Sequence, residues 1–251
     1  MGSPLSILDY RQPLEFKLGD VIVRSWIILA RHLLAFLGLV AILEAIPLIG
    51  LPKLAPLLAR PGGIMANLLV STVGGFVAMM FSALSQAVVV YATFQDLRGR
   101  EVNPVESFSR GLGRVVPAIA TSILEALAVA IGLVLFLAPG LIALAAFSVA
   151  LPICVVERAG PLRSLSRSAE LTRGYWWPIL GVALAIIIVS AVVGLAIRAA
   201  LPASGLPATI AAWAWNVFVT AYSSVYAANL YHDLRAVKEG IGIQEIASVF
   251  D

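Results

Sequence analysis

The sequence predicts an all-α, polytopic membrane protein: six transmembrane helices with short amphipathic helices in the interface on the cytoplasmic side. Three observations carry that prediction. Of 251 residues, 61% are hydrophobic and only 12% charged, against about 45 to 50% and about 25% in soluble domains. With a mean hydropathy of +0.98, the apolar side chains exceed what one core can hide, so much of the surface must face lipid. The apolar residues also fall into six runs near the length of about 20 residues that crosses a bilayer, and the loops between alternate runs are rich in arginine.

In order, the predicted spans are 21–49, 64–94, 115–137, 140–156, 177–201 and 208–231. The third and fourth are separated only by Ala138, Pro139 and Gly140, where proline is expected to stop one helix and glycine to permit the reversal. The charges support a reversal there. Arg98, Arg100, Arg110 and Arg114 precede this segment and Arg158, Arg163, Arg167 and Arg173 follow it, so with both basic loops in the cytoplasm the chain between them goes in and comes back. All but Lys53, Arg60 and Arg198 of the 17 lysines and arginines then lie on or near the cytoplasmic side, which places both termini there. Trp26, Tyr175, Trp176 and Trp177 fall near the inner boundaries, where amphipathic rings prefer the headgroup level. The organisation is a cytoplasmic N-terminal segment (1–20), a six-helix domain (21–231) and a cytoplasmic tail (232–251). No A-x-A cleavage site follows the first run, so no removable signal peptide is expected.

The two basic loops resemble each other. Pro104-Val-Glu-Ser-Phe-Ser-Arg110 aligns without gaps on Pro161-Leu-Arg-Ser-Leu-Ser-Arg167, and a weaker copy starts at Pro13. The helices that precede the loops end alike, in Gln95-Asp96-Leu97-Arg98 and His232-Asp233-Leu234-Arg235, with Glu157-Arg158 in the equivalent place. The repeated unit is a short helix, started by a proline with its fixed φ, followed by a transmembrane hairpin. Its apolar residues, Val105, Phe108 and Leu112 or Leu162, Leu165 and Leu171, recur near helical spacing with arginines between them, as suits a helix lying among anionic headgroups.

The stretch Val155-Val-Glu-Arg-Ala-Gly-Pro-Leu-Arg-Ser-Leu-Ser-Arg-Ser-Ala-Glu-Leu-Thr-Arg-Gly-Tyr-Trp-Trp177, with Leu137-Ala-Pro-Gly140 and Leu151-Pro152 upstream and Gly19-Asp20 and Ser25-Trp26 near the start, resembles the membrane domain attached to some bacterial glycerophosphoryl diester phosphodiesterases and its stand-alone YciC-type relatives. The resemblance implies a six-span cytoplasmic-membrane protein. It implies no phosphodiesterase activity, because a (β/α)₈ barrel needs about 250 residues of alternating strand and helix and the spans leave none.

Candidate sites come from polar residues inside apolar runs, where each ionisable group costs about 2.5 to 3.5 kcal/mol unless paired. Glu125 lies ten residues into the third span, roughly 15 Å deep, and Arg31, His32 and Gln86 are its expected companions in an intramembrane polar cluster. Toward the outer face Glu44 and Arg198 are expected to form an ion pair, with Asn216 at the same level. Arg110, Arg158, Arg163, Arg167 and Arg173 are candidates for binding lipid headgroups or a partner protein. For the buried groups the functional reading is a polar pathway; the bland alternative is a set of interhelical clamps, or snorkelling near helix ends. Cys154 reads as a packing residue, Trp213 and Trp215 as an outer aromatic belt, and Ser71, Gly74 and Gly75 as a site of close helix contact.

Several function classes are disfavoured. The net charge of +3 with two histidines and a single cysteine argues against nucleic-acid binding, a disulfide framework and a metal centre. No G-x-S-x-G, H-E-x-x-H, P-loop or G-x-G-x-x-G is present, so no catalytic residue and no cofactor is expected. The leading expectation is a non-enzymatic envelope module of the bacterial inner membrane that interacts with membrane lipids or with a protein on its cytoplasmic face; the alternative is a small transporter with a path near Glu125. Homo-oligomeric state is open.

Overall fold

The computed structural model describes residues 16–58, 64–202 and 205–240, with side chains at all of these except 51–58 and 64–66. The described residues form ten helices and no strand. In order these are α1 (Leu18–Arg31), α2 (Leu33–Leu58), α3 (Ile64–Leu97), α4 (Pro104–Leu112), α5 (Val115–Leu135), α6 (Leu137–Ala146), α7 (Ala150–Val156), α8 (Pro161–Thr172), α9 (Trp176–Ala200) and α10 (Leu206–Glu239). Five stretches are long and apolar enough to cross a membrane: Leu33–Gly50, Asn67–Leu97, Val115–Leu135, Leu137–Val156 and Trp176–Ala200. Large apolar side chains point outward along them, Ile42, Leu127, Ile188 and Leu195 among those more than half exposed, as a lipid-facing surface requires.

The first predicted span is two helices. Residues 18–31 form an amphipathic helix whose buried face, Val21, Ser25, Ile28 and Leu29, repeats at helical spacing. It ends at His32 (φ −113°, ψ 28°), and the apolar α2 starts one residue later. The apolar content of 21–31 blends into that of α2, which hides the junction from a hydropathy reading; Arg24 and Arg31 mark the face that does not belong in hydrocarbon. The N-terminal copy of the repeat at 13–20 lies mostly outside the described residues.

The second correction concerns the reversal after α5. Phe136 is extended (φ −160°, ψ 148°) and α6 begins at Leu137, so Pro139 and Gly140 belong to the first turn of α6. There proline's missing N–H costs nothing, since first-turn donors have no intrahelical partner. The close approach explains the glycines: a Cβ on Gly132 would lie 2.8 Å from the backbone of Gly140, and a Cβ on Gly140 would lie 2.4 Å from Leu133 Cγ. Gly75, by contrast, faces open space and Ser71 is exposed, so neither of these two makes a close helix contact among the described residues.

The fourth predicted span is broken between α6 and α7. Residues 147–149 leave the helix, and α8 supplies the missing partners. Ser168 Oγ donates to Ala146 O at 2.7 Å and accepts from Val149 N at 3.3 Å, while Thr172 Oγ1 lies 3.2 Å from the same Ala146 carbonyl. Ser164, Ser168 and Thr172, spaced four apart, are fully buried. Helix α8 therefore turns a hydroxyl face inward, with Leu165 and Leu171, and leaves Leu162 exposed. On α4 the buried positions are Ser107 and Gly111, equivalent in the loop alignment to Ser164 and Ser168, and Val105, Phe108 and Leu112 are all exposed.

Helix α10, as long as α3 at 34 residues, spans about 51 Å and is buried along its C-terminal half. It packs against α1, α2, α3 and α9 and reaches α7 and α8, and residues 232–239, read from sequence as tail, continue it. Its central position explains its mixed composition: Thr220, Ser224, Asn229, His232 and Asp233 are all buried among other helices. The largest fully buried apolar side chains include Leu29 on α1, Ile153 on α7, Leu171 on α8 and Leu230, Tyr231 and Leu234 on α10.

Candidate functional site

Polar groups gather in two places, a layer at one end of the bundle and a cavity toward the other. The layer holds the ends of α1, α3, α7 and α10 together with α4 and α8. Its first part clamps α1. Arg24 Nη1 donates to Asp233 Oδ1 at 2.7 Å, and at the far end of α1 Arg31 Nη1 and His32 Nε2 lie 3.4 Å and 2.8 Å from Asp96 Oδ1. The two aspartates are the equivalent residues of the matching helix ends, so one motif is used twice to hold one amphipathic helix. Between them, Asn229 Nδ2 donates to Ser25 Oγ at 3.1 Å.

The second part is a closed circuit over α7, α8 and α10. Tyr231 donates its hydroxyl to Glu157 Oε1 at 2.8 Å and accepts from Arg235 Nη1 at 3.0 Å; Arg235 Nε reaches Glu239 Oε2 at 2.8 Å. Arg167 bonds the other Glu239 oxygen and lies 3.6 Å from Glu157, closing the loop. Lys238 Nζ donates to the carbonyls of Glu170 and Arg173 at 3.2 Å and 2.6 Å, a cation at the C-terminus of α8 where the helix dipole favours one.

These bonds redistribute the residues singled out in the sequence. Arg31 and His32 belong to Asp96, Gln86 bonds Ser82 within its own helix at 3.3 Å, and Glu125 stands half-buried on α5 with no hydrogen bond or ion pair among the described residues. The expected cluster around Glu125 is therefore absent among them, because the break at His32 carries Arg31 and His32 into the polar layer. Of the five arginines, Arg167 is consumed by the circuit and Arg110 makes an exposed 3.8 Å contact with Glu106. Arg158, Arg163 and Arg173 are exposed with no carboxylate partner among the described residues, and Arg158 sits in the left-handed region at φ 53°. Leu162 and Trp177, 73% and 84% exposed, flank them. Cys154 is fully buried, as a packing residue would be.

The cavity, about 920 Å³, lies between α2, α3, α9 and α10. Glu44, Ser82, Arg198, Thr209, Trp213 and Asn216 supply its polar lining. Glu44 is only 6% exposed; Oε2 accepts from Asn216 Nδ2 at 3.3 Å, the Thr220 hydroxyl is a second neutral partner of the carboxyl, and buried Oε1 has no partner within hydrogen-bond distance among the described residues. The expected ion pair is not formed: Arg198 lines the same cavity from α9, exposed, beyond salt-bridge distance of Glu44. Helix α9 packs mainly on α6 and α10 and leaves a gap toward α2 and α3. Trp213 lines this cavity and Trp215 stacks on Phe218 at 5.5 Å, so the two rings look inward more than a simple belt predicts.

Sequence reasoning missed the partners more than the residues. Asp96, Asp233 and Glu157 carried a signal, the recurrence of one helix-end pattern; Tyr231, Arg235 and Glu239 carried only a helical spacing of four. Among the described residues no three His, Cys, Asp or Glu side chains gather as a metal ion would require. No family model, curated protein or solved structure matches the chain.

Proposed function

We propose that this chain is a non-enzymatic, six-span protein of the bacterial cytoplasmic membrane, related to the membrane domains it resembles, whose cytoplasmic face binds anionic lipid. Helix α10 is the sixth span, too polar to stand out by composition because other helices surround it. The polar layer is the cytoplasmic end, with both termini on that side. The order of elements, a short amphipathic helix before each of three pairs of long apolar segments, supports a threefold repeat, and so do the matching buried positions of α4 and α8 and the paired use of Asp96 and Asp233.

One observation carries the lipid reading: Arg158, Arg163 and Arg173 lack carboxylate partners among the described residues while Leu162 and Trp177 beside them are exposed. Unpaired basic residues alongside exposed apolar side chains at a bundle end match a headgroup layer over acyl chains, each cation contributing about 1 kcal/mol near an anionic surface. The protein extracted in mild detergent with mixed lipids should retain phosphatidylglycerol, read by native mass spectrometry. Replacing the three arginines by glutamine should reduce that retention about a hundredfold, and unchanged retention would remove the reading. A transporter remains the second reading, and the cavity favours Glu44 over Glu125 as the group on its path.

A further inference from the structure

We infer that the cavity between α2, α3, α9 and α10 is a binding site for a zwitterion, an ammonium group joined by a short linker to an oxyanion such as a phosphodiester. The site is distinct from the arginines of the opposite end. Glu44 is twelve residues beyond His32 along the chain, about 18 Å from the polar layer.

Among the described residues, the cavity holds one anion without a cation and one cation without an anion. Glu44 is buried to 6% exposure, yet its carboxyl receives only neutral donors, a long amide bond from Asn216 at 3.3 Å and the Thr220 hydroxyl, and Oε1 has no partner within hydrogen-bond distance among the described residues. A carboxylate has room for about four donors, and a buried one lacking a counter-charge is strongly disfavoured in a membrane. Arg198, on the α9 wall, has no carboxylate within reach among the described residues. Trp213 adds a buried Nε1–H with no partner and an aromatic ring on the lining, a group that attracts ammonium ions. A bare cation would satisfy Glu44 while meeting repulsion from Arg198; a bare anion would meet the reverse. A molecule carrying both charges satisfies both walls. The volume of about 920 Å³ is ample for such a headgroup. Leu195 and Val192, 70% and 61% exposed on the neighbouring face of α9, offer acyl chains a path beside it.

The chemistry is shared by phosphatidylethanolamine and by soluble phosphoethanolamine, and the experiment separates them. The full-length protein in detergent is presented with equal phosphatidylethanolamine and phosphatidylglycerol, and bound lipids are counted by native mass spectrometry. Wild type should hold phosphatidylethanolamine, and Glu44→Gln should lose about tenfold in its retention while phosphatidylglycerol adducts persist. Ala212→Phe, which projects a ring into the cavity beside Trp213 and leaves Glu44 in place, should act alike, so the result does not rest on one variant. The triple arginine variant of the other end should show the opposite selectivity, losing phosphatidylglycerol alone. In a lipid-depleted sample, titration with phosphoethanolamine that saturates, and that Glu44→Gln abolishes, would identify a soluble zwitterion as the occupant. The inference is overturned if neither form binds wild type, or if Glu44→Gln and Ala212→Phe both bind as wild type does.

Discussion

Single carboxylates at helix ends decide how the polar layer is assembled. Asp233, its side chain 4% exposed, receives Arg24 at 2.7 Å and the neighbouring His232 Nδ1 at 3.0 Å. Removing Arg24 leaves a buried charge with one local partner, so Arg24→Ala should destabilise the fold by about 3 kcal/mol. The double change Arg24→Leu with Asp233→Leu should recover most of that, because no uncompensated charge remains. Thermal unfolding in detergent reads both; equal losses in the single and double variants would show that the pair contributes more than mutual compensation. Glycine gives a second residue-scale prediction. At Gly132 an added Cβ meets backbone atoms of Gly140 at 2.8 Å, which cannot rotate away, so Gly132→Ala should cost about 1 to 3 kcal/mol, while Gly75→Ala, with nothing within 4 Å, should be neutral or slightly stabilising. The importance of Asp96 and Asp233 was legible as a repeated pattern in the sequence. Their partners were not, since those depend on α1 being a separate helix that lies across both ends.

Among the elements, α8 shows how an amphipathic pattern can mislead about its inward face. Leucines at helical spacing suggest an interfacial helix resting on its apolar side, and Leu162 is indeed exposed. The inward stripe is Ser164, Ser168 and Thr172, which a hydropathy scale counts as polar surface, and its role becomes visible only against the break at 147–149. Backbone groups at such a break need partners when no water is near, and Ser168 provides for two of them. Ser168→Ala should leave a carbonyl and an amide short of a bond, costing about 1 to 3 kcal/mol for each group left wholly unsatisfied. Hydrogen exchange should accelerate in a peptide covering 143–153 while α2 and α3 keep wild-type protection; a uniform change across the chain would mean that the hydroxyl supports global stability instead. The α6–α7 break itself left little trace in the sequence, because the apolar run passes through Phe147, Ser148 and Val149 without a charge or a glycine.

For the whole molecule, composition alone revealed the helical class and the apolar stretches, since hydrocarbon admits few alternatives. It could not reveal which spans face lipid and which face one another. Helix α10 reads as the least apolar long helix because it occupies the centre, and Glu44 and Arg198 share a level but not a bond because α9 stands off from α2. The threading remains a proposal, and the chain is well suited to testing it. Cys154 is fully buried, so it should stay silent to thiol reagents in folded protein, and the natural sequence can serve as the background for single introduced cysteines. Arg163→Cys and Arg100→Cys replace exposed residues in the basic loops, and Pro202→Cys an exposed residue at the opposite end of the bundle. With the basic loops in the cytoplasm, a membrane-impermeant maleimide applied to intact cells should label Pro202→Cys alone, and all three should react once the membrane is opened. The inverse pattern would turn the molecule over and bring the unpaired arginines to the outer leaflet. Labelling of only one basic loop would show an odd number of crossings between α4 and α8, which is incompatible with α5 and α6–α7 forming a hairpin through the bilayer.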